Sequence, residues 1–388
     1  MNKSMAVLVP LAALMSIGTA SAQSAVTLFG IIDTGVSGYW NRAQGPFGTS
    51  ITTSQTMLSN SAYNTSRLGF RGTEDLGGGL KAGFWIEAAM NNENGNVGGG
   101  NGLVAPANGA SFFNRRSTVS LFSPWGELRI GRDYVSSFWN LVYDDVNGAN
   151  GLGQGLNLVP GLSSTAASLA RANGMIAYFL PANIGGLYGQ AGVSAPSNNA
   201  ATGNPGTSGQ KYYGGRIGWA AGPFDVNFSY GETRLQAFAA DSRGDKYKIW
   251  NVGGSWDFGV AKLYGYYNEV KFQAFKADTY EISVGVPLGQ GEFRAVYAHV
   301  DQNGSQANCT VCVNPLPPSS ITSLNGDDAQ LWSLEYVYNL SKRTALYGTF
   351  GQIDNKGKAA FSVLPGTAAQ NLAGNKSTGY NLGVRHSF

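Results

Sequence analysis

The chain has 388 residues, of which 13% are charged and 43% apolar, and its formal net charge is +3. The low charged fraction excludes an intrinsically disordered chain, and the small net charge gives no argument for nucleic-acid binding. Glycine is frequent, with 55 residues, and aromatic residues make up 12%. Because strands use glycine where they bend or approach one another closely, this composition favours a β fold.

The N-terminal segment predicts a secretory signal peptide. Lys3 precedes an apolar run from Met5 to Ile17, which is shorter than the roughly 20 residues that a membrane-spanning helix needs. Small residues follow at Ala20 to Ala22. We therefore expect a signal peptide over residues 1–22, cleavage after Ala22, and one mature barrel domain over residues 23–388.

Strands with alternating character follow along the chain. One parity is shared by Thr27, Asp33 and Ser37, and the other by Val26, Leu28, Gly30, Ile32 and Val36. The same period of two recurs over residues 80–88 and 279–286. These segments are typical of β-strands that have one apolar and one polar face.

The connectors between these strands fall into two alternating size classes. The short ones are 74–79, 123–127, 181–186, 220–223, 257–259, 287–291 and 339–343. The long ones are 41–63, 92–111, 135–170, 195–210, 234–245, 271–277, 301–328 and 354–375. This arrangement predicts an all-β transmembrane antiparallel β-barrel of about 16 strands, with short periplasmic turns and long extracellular loops.

Tryptophan positions support the membrane interpretation. Trp125 lies in a short turn, and Trp219 and Trp256 lie one residue from such turns. Indole side chains prefer the membrane boundary. The alternative is that they are core tryptophans of a soluble β-sandwich or propeller.

The third long connector, residues 135–170, is the candidate for narrowing the lumen. It carries an aromatic and aliphatic cluster that includes Phe138, Trp139 and Tyr143, followed by Asp144 and Asp145. A loop folded inward would bury the cluster against the wall and present both aspartates to the channel. The alternative is an Ω-loop packed on itself outside the barrel.

Arginines gather on the early strands that such a loop would face. Parity places Arg67, Arg71 and Arg116 inward, whereas Arg132 faces the lumen only if the chain bulges. Arg171 follows the loop, and Arg115 and Arg129 are weaker candidates. Guanidinium groups opposite loop carboxylates would create a transverse field, and the excess of arginine predicts a mild preference for anions.

Other reactive residues give weaker indications. Cys309 and Cys312 form C-x-x-C in a long connector, which in an exported protein favours a disulfide over free thiols. His299 and His386 share the parity of outward residues, so an outer-membrane hydrolase that uses His299 is a remote alternative. No cofactor and no metal are expected.

The last residues, 378–388, again alternate and end on the aromatic Phe388 without a following turn. Such a strand must pair with an earlier one, most simply the first strand of a closed barrel. Phe388 is therefore the candidate C-terminal assembly signal.

Several motifs together resemble the general porins of Gram-negative outer membranes, which are trimeric and sixteen-stranded. They are SAVTLFGIIDTGV, SRLGFRGTEDLGGGLKAGFWIE, FFNRRSTVSLFSPWGELRIGRD, RANGMIAYFLP and STGYNLGVRHSF. The resemblance implies a homotrimer among outer-membrane lipid and lipopolysaccharide, an inward third loop, and passive diffusion of small hydrophilic solutes and ions. It also implies that Arg67, Arg71, Arg116 and Arg171 face the pore and that Asp144 and Asp145 lie in the constriction loop. A solute-specific channel and a surface-binding barrel remain as alternatives.

Overall fold

A computed structural model describes residues 25–44, 49–97, 112–161, 170–194, 211–234, 246–305, 323–363, 374 and 376–388. The strands are β1 (Ala25–Gln44), β2 (Ser50–Asn60), β3 (Arg67–Gly77), β4 (Leu80–Ala89), β5 (Arg116–Ser123), β6 (Gly126–Tyr134), β7 (Arg171–Phe179), β8 (Leu187–Ser194), β9 (Lys211–Ala221), β10 (Phe224–Arg234), β11 (Lys246–Asp257), β12 (Lys262–Phe272), β13 (Phe275–Leu288), β14 (Gly291–Gly304), β15 (Ala329–Asn339), β16 (Thr344–Asn355) and β17 (Lys376–Ser387). One α-helix, α1 (Ser136–Tyr143), and one 3₁₀ turn, Gly155–Leu158, lie in the third long connector. Within these ranges, no helix is long and apolar enough to cross a bilayer.

The strands form one closed antiparallel sheet. From β3 to β17, consecutive strands pair with each other, and β17 pairs back onto β1, with Ile31 opposite Ser387. On its other side, β1 pairs first with β3 and then with β2. Since β2 and β3 share one position in the ring, the barrel is sixteen-stranded, and the predicted fold class is confirmed.

The predicted parity of the strands is also confirmed. On β1, Val26 and Leu28 are 62% and 53% exposed, whereas Asp33 and Ser37 are buried. On β13, Ile282 faces outward while Glu281 faces the interior. The tryptophans at the short turns are exposed on the outer surface, as expected at a membrane boundary. The barrel therefore shows apolar side chains outside and mainly polar ones within. The exception is a buried apolar cluster in which wall residues such as Val270 and Leu331 pack with the third long connector.

Two of the expected long connectors are wrong in detail. Residues 41–63 contain the end of β1 and all of β2, and residues 271–277 form a tight hairpin turn through Gln273 and Ala274. Strand β2 lies beyond the end of β3, on the side of the long loops, where no lipid selects for alternating apolar residues. Its sequence, SITTSQTMLSN, consequently lacks the pattern that marks the other strands.

The barrel closes at the C-terminus through Gly30. The amide of Phe388 donates to the carbonyl of Gly30 at 3.1 Å, and the amide of Gly30 donates back to the carbonyl of Phe388 at 3.1 Å. The Phe388 ring occupies the space that a side chain at position 30 would need.

We expect Gly30→Val to lower the yield of folded barrel, because the added methyl groups would displace the Phe388 ring and overpacking costs about 1–3 kcal/mol. The yield is measured after refolding in detergent, from the gel-mobility shift between folded and heated samples. Gly348→Val is the matched control, because its neighbour is the flexible end of Leu382, 3.1 Å away. Equal yields for the two variants would contradict the claim that packing of Phe388 on Gly30 is needed to close the barrel.

Candidate functional site: the lumen at loop 135–170

The third long connector folds into the barrel, as predicted, and the alternative of an external Ω-loop is wrong. Helix α1 packs against strands β8 to β11. Its first amide, Ser136 N, donates to Tyr212 Oη at 3.0 Å, and Asn251 Nδ2 donates to Ser137 O at 3.0 Å. Phe138 and Leu141 are buried on the face that meets the wall. Hydrogen bonds and apolar contacts together fix the helix to the interior.

The loop then continues along the wall formed by β13 to β16. Ser283 Oγ accepts from Val146 N at 3.2 Å, and Ser333 Oγ donates to Gly153 O at 3.0 Å. At Gly155 a Cβ would collide with the Glu281 carboxylate. The glycines of this loop therefore permit close approach to the wall, which alternation of the sequence could not reveal.

The two loop aspartates do not face the channel, and this part of the expectation is wrong. Asp144 and Asp145 are 2% and 4% exposed. Asp144 Oδ1 accepts from Asn227 Nδ2 at 2.8 Å, while the Asp145 carboxylate accepts from the amides of Asn147 at 2.8 Å and Ala149 at 3.1 Å. These donors offset part of the cost of burial. Asp144 therefore ties the loop to β10, and Asp145 stabilises a turn within the loop.

The anchoring by Asp144 predicts a pH dependence. Burial raises the pKa of Asp144 to about 8, above the value of about 3.9 for an exposed aspartate. The stability that this group contributes is thus complete below about pH 4 and is lost as the pH rises toward 8. Wild-type protein in detergent should melt at a lower temperature at pH 9 than at pH 5.

In Asp144→Asn this difference should shrink by about 2–4 °C, since the amide keeps an acceptor for Asn227 but cannot ionise. Asp75→Asn, in an exposed strand end, is the control and should keep the wild-type difference. An unchanged difference in Asp144→Asn would show that this carboxyl does not set the dependence.

Opposite the loop, strands β3 to β5 carry inward arginines. Arg67, Arg71 and Arg116 have the expected inward parity. Glu87 binds two guanidinium groups, those of Arg67 at 3.4 Å and Arg115 at 2.5 Å. The ring of Trp85 lies 5.0 Å from the Arg71 guanidinium and 4.6 Å from that of Arg116. These contacts hold the arginine side chains in place along the wall.

The arginine wall continues onto β6 and β7. Arg171 Nη2 donates to Tyr134 Oη at 2.8 Å, and Arg115 Nη2 donates to the same oxygen at 3.1 Å. Arg129 pairs with Glu127 at 2.8 Å and with Asp133 at 2.5 Å.

Arg115 and Arg129 were underestimated from the sequence. The parity of Arg129 opposes that of Leu128 and Ile130, so its inward direction was readable. Arg115 lies just before β5, where parity gives no direction.

Arg132 is not brought to this site. Its Nε donates to Asn114 O at 2.6 Å and its Nη1 to Asn173 Oδ1 at 2.5 Å. The strand does bulge here, with a register shift between Gly131 and Asp133. The Arg132 side chain is held by those two acceptors, so it does not line the space beside the loop.

A cavity of 460 Å³ separates the loop from the arginine wall. Its strand side includes Arg67, Arg115, Arg116 and Arg171, and its loop side is formed by the following residues. They are Phe138, Trp139, Val142, Val146, Asn147, Gly148, Ala149 and Asn150. Glu87 and Asp133 of the strand side and Arg294 of β14 also line it. The strand side therefore has an excess of guanidinium groups, and the loop itself contributes no charged side chain to the lining.

A second inward element, residues 61–66 between β2 and β3, completes this cavity. Tyr63 and Asn64 line it, and Thr65 Oγ1 donates to Asn150 Oδ1 of the loop at 2.8 Å. The buried Asp33 carboxylate accepts from the amides of Tyr63 at 2.8 Å and Asn64 at 2.5 Å. The sequence does not reveal this element, because residues 61–66 span the end of the expected connector 41–63.

The other candidate residues lie apart from the cavity. His299 has the outward parity expected, and its Nε2 lies 2.9 Å from Asp301 Oδ1. Cys309 and Cys312 fall outside the described residues. Within the described ranges, no three metal-ligating side chains come together.

A closed barrel with an apolar exterior, a charged lumen and an internal narrowing loop defines a channel of the outer membrane. The chain belongs to the Gram-negative porin family, whose sequence model matches residues 6–358. It is thus an outer-membrane porin, a water-filled channel for passive diffusion of small hydrophilic solutes.

Individual relatives cover nearly the whole chain. "Outer membrane porin protein 32" of Delftia acidovorans is 35% identical over 392 residues, covering 98% of this chain and 99% of that protein. An outer membrane porin protein of Bordetella pertussis is 30% identical and covers 96% of each. The solved "Anion-selective porin from Comamonas acidovorans" is 32% identical with a TM-score of 0.72, covering 94% of this chain and all of that one.

Proposed function

We propose that the channel prefers anions, and that the wall formed by β3 to β7 sets this preference. The observation that carries the proposal is the balance of charge beside the loop. On this wall, the four guanidinium groups that line the cavity outnumber the two carboxylates that line it, those of Glu87 and Asp133. The four belong to Arg67, Arg115, Arg116 and Arg171. The solved relative described as anion-selective supports the same sign.

This mechanism of selectivity does not depend on a transverse field between wall arginines and loop carboxylates. Because Asp144 and Asp145 face the wall, the loop side of the passage offers no opposing carboxylate. A permeating anion therefore meets an excess of positive charge on one side and an uncharged surface on the other. In a narrow passage with low-dielectric walls, this excess raises the local concentration of anions and lowers that of cations.

We assign distinct roles to the predicted site residues. Arg67, Arg71, Arg116 and Arg171 act on the permeating ion through their charge. Asp144 and Asp145 act indirectly, by fixing the position of the loop. Arg132 belongs to the wall behind the site and has no direct part in selectivity.

The reversal potential of the purified channel in a planar bilayer tests the proposal. Under a tenfold gradient of KCl, we expect a potential whose sign shows that chloride is more permeant than potassium. A potential near zero, or one that favours potassium, would contradict it. High salt on both sides should reduce the selectivity, since the Debye length falls to about 3 Å at 1 M.

The assembly and maturation of the protein also belong to the proposal. We infer a homotrimer in contact with lipopolysaccharide, formed after removal of residues 1–22, and without catalytic activity. The near-complete match to porin relatives supports the assembly. Molar mass by light scattering in detergent would test the trimer, and N-terminal sequencing of the mature chain would test cleavage after Ala22.

A further inference from the structure

The two walls of the 460 Å³ cavity differ in more than charge. The strand wall presents guanidinium groups, whereas the loop wall presents the apolar side chains of Trp139 and Val142 beside the amides of Asn147 and Asn150. A small inorganic anion uses only the first wall. Hydrated inorganic ions make no use of the apolar side chains on the loop, so we ask which solute could contact both walls.

The volume of the cavity is in the range of sites that enclose organic ligands, about 300–1,000 Å³. Such sites combine mainly apolar walls with a few polar groups that fix the orientation of the ligand. Here the guanidinium groups of Arg67, Arg115, Arg116 and Arg171 lie together on the strand side, across from Trp139 and Val142 of the loop. The arrangement fits an amphipathic anion whose charged end and apolar end point in opposite directions.

The apolar wall is aromatic at the point nearest the arginines. The Trp139 ring centroid lies 5.0 Å from that of Tyr134, whose ring is in turn covered by the Arg171 guanidinium at 4.3 Å. On its other side, Trp139 stacks with Tyr143 at 5.6 Å and 13°. The aromatic surface of the loop therefore adjoins the arginine side of the cavity, where the less buried guanidinium groups of Arg67 and Arg116 can bind a carboxylate.

From this geometry we propose that the passage contains a weak, saturable binding site for aryl carboxylates, with the carboxylate on the arginine wall and the ring against Trp139. This inference rests on the proposed anion preference and names the solute class that the same passage retains. Acetate has the same charge but no ring, and cyclohexanecarboxylate has a ring that is neither flat nor aromatic. The three anions separate the contributions of charge, apolar area and aromaticity.

The test is block of the chloride current through the purified full-length porin in a planar bilayer. Benzoate should reduce the current saturably, with a half-blocking concentration about three- to tenfold below that of cyclohexanecarboxylate, as expected for one aromatic contact. Acetate should reduce it still less. Equal half-blocking concentrations for benzoate and cyclohexanecarboxylate would overturn the proposal.

Variants locate the site. In Trp139→Leu, the ratio between the two ring anions should fall to about one, whereas Trp139→Phe should retain most of it. Trp332→Leu, which removes an outward-facing tryptophan of β15, is the matched control and should behave as wild type. An unchanged ratio in Trp139→Leu would place benzoate elsewhere and overturn the assignment.

Failure of this inference is distinguishable from failure of the proposed function. If the reversal potential in KCl favours chloride but the ring anions block alike, the anion preference stands and the aryl site is wrong. If the potential favours potassium, the anion preference itself is wrong, and the aryl site falls with it.

Discussion

Replacing Arg67, Arg116 and Arg171 together by glutamine is expected to remove the anion preference of the channel. The change leaves Glu87 and Asp133 in the passage with fewer guanidinium partners, so the local balance turns toward negative charge. A unit charge at about 4 Å contributes about 1 kcal/mol even in water. We therefore expect the chloride-to-potassium permeability ratio to fall to about one, as measured from the reversal potential.

The control for this variant carries the same change of net charge away from the cavity. Arg42, Arg234 and Arg343 are exposed and do not line it. Their joint replacement by glutamine should alter the permeability ratio by less than about twofold, because screening weakens charges beyond about 10 Å. Equal effects in both triple variants would attribute selectivity to overall charge and contradict a localised site.

The second large effect is expected at Asp33. Its carboxylate is fully buried and accepts hydrogen bonds from Tyr63 N, Asn64 N and, at 2.6 Å, Tyr347 Oη. Asp33→Ala leaves three donors without this acceptor. Loss of one partner in a buried charged network costs about 3–5 kcal/mol. We expect a fall of that size in the unfolding free energy in detergent, measured by denaturant titration.

Asp33→Asn should lose less, because its side-chain oxygen still accepts hydrogen bonds. Glu74→Ala, on the exposed part of β3, should change the unfolding free energy by less than about 0.5 kcal/mol. Since residues 61–66 line the passage, Asp33→Ala should also broaden the distribution of single-channel conductance. Wild-type stability and a wild-type distribution together would show that Asp33 does not hold this segment.

The strands of the barrel and their two faces could mostly be predicted from the sequence, because lipid outside and water inside require side chains of different polarity. Outward residues such as Val26 and Ile282 meet lipid and must be apolar, while inward residues such as Asp33 meet the interior of the barrel and can be polar. The alternation therefore identified strands and their faces. The same rule failed for β2, since that strand extends beyond the lipid.

The interior of the lumen was less readable, because it depends on contacts between distant parts of the chain. Nothing local in the sequence places Asp144 on Asn227 of β10 or residues 61–66 on Asp33 of β1. The local sequence would be the same whether the two aspartates faced the channel or were buried in the packed loop. The arginine parity was readable, whereas the direction of the loop carboxylates required the packed structure.

The central claim is tested most directly by comparing how fast an anionic and a cationic reagent modify a thiol inside the passage. Val142→Cys, in a background with Cys309 and Cys312 changed to serine, places a thiol on the loop wall of the cavity. We predict that an anionic methanethiosulfonate reacts faster than a cationic one, and that modification reduces the single-channel current. Faster reaction of the cationic reagent, or modification without loss of current, would contradict the claim that ions pass between this loop and a cationic wall.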